Sequence, residues 1–115
     1  MATISSHTLN GVDGTHAGGI RVQVLERNSG KILFDSKTDE GGRLSEEVDI
    51  SASPQDATYE MVFETGPYWE DSDVSRETLQ IMSEIVVRFQ MPDPDARYHI
   101  PVILSPNSYS VWWSS

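Results

Sequence analysis

The sequence contains no cysteine. Disulfide bonds and thiolate catalysis are excluded, and a reducing compartment is permitted. Positive charge is also scarce: 8 Lys plus Arg stand against 18 Asp plus Glu in 115 residues, a formal net charge of -10. Such a surface repels phosphate backbones and anionic headgroups, so neither nucleic acid nor a membrane is expected as a partner. The acidic balance reads as a solubility feature rather than a dock for a basic protein. Long hydrophobic runs are missing as well. The apolar stretch from Ile100 to Leu104 is among the longest, far below the ~20 residues that cross a bilayer. Met1-Ala2-Thr3-Ile4-Ser5-Ser6 lacks the basic and apolar regions of a secretory signal. Trp113-Ser114-Ser115 is not a peroxisomal address, and there is no prenylation cysteine. The expected location is the cytoplasm.

What the sequence does have is alternation. Ile20-Arg21-Val22-Gln23-Val24 puts Ile20, Val22 and Val24 on one face of a strand. After the turn signal Asn28-Ser29-Gly30, Lys31-Ile32-Leu33-Phe34 is suited to pair back as a hairpin. Leu44 to Ile50, Tyr59 to Glu64, Glu84 to Gln90, Tyr98 to Leu104 and Tyr109 to Trp113 read as further strands, with Pro101 favouring an edge or a bulge. Ahead of them lies a short β-like start before His7. Between Tyr68 and Met82, the spacing of Val74, Thr78, Leu79 and Met82 predicts a helix. Seven or eight short strands with one brief helix point to an all-β antiparallel sandwich, read as one domain over residues 1–115.

Without cysteine, acid–base chemistry near neutral pH falls first to the histidines His7, His16 and His99. His16, in the glycine-rich turn Gly14 to Gly19, reads as a solvated loop histidine and is set aside. His99 lies within an apolar strand, where an imidazole needs a partner. It is either a core histidine bonded to backbone or a functional one. Arg43, directly after two glycines, is likewise either a strand-edge charge or a site residue. No pair of histidines has metal-ligand spacing, and Glu70-Asp71-Ser72-Asp73 lacks the glycine and terminal glutamate of a calcium loop. Neither a nucleophile elbow nor a phosphate loop is present.

Several separated segments together resemble the 5-hydroxyisourate hydrolases of the transthyretin-like family. His7-Thr8-Leu9-Asn10, with Gly14, Ala17 and Gly19-Ile20-Arg21-Val22, is similar to the family's opening His-x-Leu-Asp segment. Thr38-Asp39-Glu40-Gly41-Gly42-Arg43 resembles its Thr-x-x-Gly-Arg motif with one extra residue. Phe63-Glu64-Thr65-Gly66-Pro67-Tyr68-Trp69 resembles Phe-x-Thr-Gly-x-Tyr-Phe. Tyr98-His99-Ile100-Pro101-Val102-Ile103-Leu104-Ser105-Pro106, followed by Tyr109-Ser110, matches the family's most diagnostic stretch. Three departures stand beside these matches. Trp112-Trp113-Ser114-Ser115 replaces the family's Tyr-Arg-Gly-Ser, Thr15-His16 replaces its usual Arg-Pro, and Ser83 stands where proline is common.

The resemblance implies a transthyretin-like sandwich that opens a small cyclic amide in purine breakdown, without metal or cofactor. His7, Arg43 and His99 would be catalytic, and Ser110, Trp112, Trp113 and Ser115 would contact the substrate. It further implies a homotetramer with sites at subunit interfaces. Replacing the tail arginine by Trp113 removes a cation and five donors. The sequence therefore also admits a relative acting on a more apolar heterocycle, or a non-catalytic binder of a small ligand.

Overall fold

Burial alternates without interruption through Ala2–Asn10, the first and longest strand (β1). Ala2, Ile4, Ser6, Thr8 and Asn10 face inward, while Thr3, Ser5, His7 and Leu9 face outward. Because the inner face includes polar residues, hydropathy betrays only part of this strand. A buried hydroxyl without a partner costs about 1–3 kcal/mol, and each of these side chains has one. Ser6 Oγ donates to Ile100 O at 2.6 Å and Thr8 Oγ1 to Ala17 O at 2.5 Å. Asn10 Nδ2 donates to the Tyr68 hydroxyl at 3.0 Å.

The computed structural model describes residues 1–72 and 79–114. Among them the later elements are β2 (Arg21–Glu26), β3 (Ile32–Lys37), β4 (Arg43–Val48), β5 (Tyr59–Glu64), α1 (Gly66–Glu70), β6 (Glu84–Phe89), β7 (Arg97–His99), β8 (Val102–Ser105) and β9 (Ser108–Val111). One sheet runs β3-β2-β5-β6, all antiparallel, with the expected β2–β3 hairpin and a register shift at Val24/Leu25. The other runs β4-β1-β8-β9, with β7 also paired to β1. Ile4, Val22, Val24, Met61, Phe63, Trp69, Val102 and Leu104 fill the space between the sheets.

Two expectations are refined here. The single strand predicted over Tyr98 to Leu104 divides at Ile100-Pro101 into β7 and β8, which both run parallel to β1. Proline cannot donate to the ladder, so it sits at the break between two pairings. The helix predicted between Tyr68 and Met82 is corrected. Among the described residues a helix spans only Gly66–Glu70, with a proline in its first turn. Val74 and Thr78 lie outside the described residues. Leu79 and Ile81 are 80% and 74% exposed, and the chain there is not helical. Asn107 explains why: its Oδ1 accepts from the Ile81 and Met82 amides, and its Nδ2 donates to Leu79 O. That side chain supplies the backbone partners a helix would have supplied.

Candidate active site

Residues paired across neighbouring strands project to the same side of a sheet. His7 pairs with Arg43 across β1 and β4, and Ser5 pairs with Ser45 on β4 and with His99 on β7. The outer face of this sheet therefore carries His7, Arg43, Ser5 and His99 together. His99 is not a core residue: Tyr98 and Ile100 beside it are buried, and its own ring alternates outward and is half-buried.

Arg43 is delivered by a tight turn. Gly42 N donates to Asp39 O at 2.9 Å, and Asp39 Oδ1 accepts from Arg43 N at 2.9 Å. Gly42 has φ +75 and lies against the Thr8 carbonyl, which a Cβ would overlap. Only glycine meets both conditions without strain. Its own carbonyl accepts from Thr8 N at 2.7 Å, fastening the turn to β1 one residue past His7.

Arg43 and His99 line one cleft of about 550 Å³ with Ser5, Asp39, Arg97 and Ser114. The His99 ring is fixed by Ser5, whose Oγ lies 2.8 Å from Nδ1. With the proton on Nδ1 donated to that hydroxyl, Nε2 keeps its lone pair. Ser114 closes the other side, its amide donating to His99 O at 2.8 Å. Ser5 and Ser114 were not foreseen as site residues. The signal for Ser5 was its place two residues before His7 on the same face of β1.

His7 is held below the ordinary imidazole range, first by burial and then by the charges of Arg43, His16 and His99, while a backbone hydrogen bond at Gly41 pulls the other way. Arg43 forms no ion pair among the described residues, so its charge reaches His7 uncompensated. His16, set aside as a solvated loop residue, is indeed exposed, but its Nδ1 is 2.9 Å from His7 Nε2. Among the described residues no three histidine or acidic side chains converge as a metal centre would need.

The tail residues divide. Ser110 pairs with Ile103, and Ile103 with Leu9, so Ser110 shares the outer face with His7 but lies outside the cleft. Trp112 and Trp113 line a separate groove of about 780 Å³ with Val87, Phe89, Tyr98 and Ile100. They are 44% and 64% exposed. Ser115 lies outside the described residues.

A two-sheet sandwich whose first strand pairs parallel with a later, broken strand, and whose outer face joins two histidines to an arginine, defines a transthyretin-like protein. The chain matches the HIUase/Transthyretin family over residues 4–113 and belongs to it. It is 26% identical to a 5-hydroxyisourate hydrolase of Pseudomonas aeruginosa over 117 aligned residues, covering 100% of this chain and 93% of the relative. It is 33% identical to one from Salmonella dublin, covering 97% and 80%. Among solved structures, Klebsiella pneumoniae 5-hydroxyisourate hydrolase superimposes with a TM-score of 0.74 at 23% identity, covering both chains fully. An (S)-allantoin synthase superimposes with a TM-score of 0.78 at 22% identity over 99% of this chain and 44% of its own. These two likenesses concern the fold.

Proposed function

We propose that this chain is a cofactor-free hydrolase that opens the ring amide of 5-hydroxyisourate in purine breakdown. One observation carries the reading: His7 and Arg43 are paired on adjacent strands, with His99 on the same sheet face beside Ser5. Curated relatives named 5-hydroxyisourate hydrolase, which align along nearly the whole chain, support it.

The chemistry follows from the atoms available. His99, with Nδ1 engaged by Ser5, presents Nε2 as the base that takes a proton from the attacking water. The water oxygen bonds to the amide carbon, and negative charge grows on the carbonyl oxygen. Arg43, a cation in the cleft without an ion-pair partner among the described residues, holds it. Collapse breaks the carbon–nitrogen bond, and an imidazole returns a proton to the departing ring nitrogen. His7, depressed in proton affinity, is suited to give one up.

The working form we infer is a homotetramer whose neighbouring subunits enclose the open cleft. Support comes from the exposed apolar side chains Val86, Ile103, Tyr109, Trp112 and Trp113 on the described surface. The test of function is direct. Purified protein added to freshly made 5-hydroxyisourate should speed the loss of its ultraviolet absorbance well beyond the spontaneous rate. An unchanged decay rejects the assignment. A second reading, a more apolar heterocycle as substrate, is favoured by Trp113 standing directly before Ser114 of the cleft. Under that reading, Trp113→Arg should raise hydroxyisourate turnover.

A further inference from the structure

The loop from Gly11 to Gly19 is folded back onto β1 by its own hydrogen bonds. Gly14 N donates to Asn10 O, Asn10 N to Thr15 O, and Ala17 N to Thr8 O, at 2.8 to 2.9 Å. Asp13 Oδ1 accepts from both the amide and the hydroxyl of Thr15. Gly14, at φ +77, permits the reversal. The result is an isolated antiparallel bridge between Leu9 and His16. His16 is therefore carried to β1 by built structure. Its ring meets that of His7 with centroids 5.0 Å apart and planes tilted by 32°.

The tautomers are constrained. His7 Nε2 faces His16 Nδ1, which leaves His7 Nδ1 as the ring's other donor or acceptor. Neutral His7 protonated on Nδ1 accepts at Nε2 from His16 Nδ1–H. Charged His7 carries a proton on Nε2, and His16 must offer its Nδ1 lone pair. Both rings cannot be charged without breaking the 2.9 Å link. The pair shares one proton, and the outer nitrogen of His16 opens to solvent.

We propose that His16 is a positioning residue for His7 that relays protons between the site and bulk water. In release, His7 Nδ1 takes a proton from the site, its Nε2–H passes to His16 Nδ1, and His16 gives its Nε2 proton to water. The tautomers reset when water exchanges the Nδ1 proton of each ring for one on Nε2. Uptake runs in reverse. No other reagent is required. This inference rests on the hydrolase reading for its purpose: opening an amide at a non-basic ring nitrogen yields a carboxylate and one net proton, which must leave the cleft. The groups facing His7 are Arg43 from β4, the Gly41 carbonyl from the preceding turn and His99 from β7. Asp39 lines the cleft beside Arg43, and Asp13, beside His16 in its loop, is occupied by Thr15.

The test uses His16→Asn, which keeps a hydrogen-bonding atom near the place of Nδ1 but neither titrates nor relays, and His16→Ala. Histidine NMR of the whole protein gives a readout that needs no substrate. In His16→Asn, the His7 titration midpoint should rise, and exchange of its ring N–H with water should slow several-fold. Hydroxyisourate turnover should fall about tenfold in both variants at low buffer concentration and return when free imidazole is added. If His7 titrates and exchanges as in the wild type, the relay is overturned, whether or not the protein turns over hydroxyisourate. If Asn restores turnover fully without imidazole, the role is hydrogen bonding alone and the relay is likewise overturned. Slowed exchange in a protein inactive on hydroxyisourate would uphold the relay while rejecting the substrate.

Discussion

The outer faces of the two sheets handle charge in opposite ways. On β3-β2-β5-β6, Arg21 Nη2 meets Asp35 at 2.6 Å and its Nη1 meets Glu64 at 3.0 Å, while Arg88 meets Glu60 at 2.9 Å. Each of these cations is met by carboxylate on a neighbouring strand. On β4-β1-β8-β9, Arg43 forms no ion pair among the described residues; it stands opposite His7 and shares its cleft with His99, Asp39 and Arg97. A neutralised cation has little field left to act on a substrate. An arginine left open lowers the proton affinity of His7 and can meet an anion that forms only during a reaction. The contrast singles out the proposed site more clearly than the size of any pocket.

Charge removal on the two faces should therefore have unlike consequences. Arg43→Ala should lower kcat/KM for hydroxyisourate by about two orders of magnitude or more, as expected when a charge-stabilising group is lost. Its thermal midpoint should be almost unchanged, since the side chain is exposed. A large loss of stability instead would break the comparison. His99→Ala should cost ~10²-fold or more in the same assay. Ser5→Ala, which frees the ring without removing it, should cost only roughly tenfold.

Smaller effects are expected in pH dependence. Because the folded chain holds His7 below its ordinary value of 6.5, the unfolded chain binds more protons just below that pH. His7 thus contributes stability that is present above 6.5 and lost as pH falls through its lowered value. Arg43→Met removes a cause of the lowering, so the His7 NMR midpoint should move up and this acid loss should shrink. The smallest effect belongs to the other sheet. Asp35 is held to about 2 by Arg21 and Gln23, so its contribution is present above the ordinary carboxylate value of 3.8 and lost as pH falls toward 2. Asp35→Asn should flatten that part of the acid unfolding curve and leave turnover unaltered. These pairs are exposed and salt-screened, so the change is slight.

Much of this architecture was legible in the alternating strands, and the family resemblance supplied His7, Arg43 and His99 as one set. The geometry that joins them was less legible. Ser6, Thr8 and Asn10 on the inner face of β1 disguised a nine-residue strand as a short one, because their polarity is satisfied by partners far along the chain. Parallel pairing of β1 with β7 and β8 leaves no local trace. The helix was carried too far at its end, through Leu79 to Met82, because the Asn107 side chain that binds that stretch lies some 25 to 28 residues away. His16 was passed over because a histidine among glycines looks solvated, and only the loop's return onto β1 puts it beside His7.

Gly42 gives Arg43 its place while contributing no group of its own. A Gly42→Ala chain would keep each histidine, arginine and carboxylate, and a comparison of its ionisable residues with those of an active relative would find nothing missing. Yet the new methyl would press on the Thr8 carbonyl and strain the turn, lifting the guanidinium away from β1. Inheritance of this activity thus depends on an atom that must not be present, and surveys that count only reactive side chains would misjudge which descendants retain it.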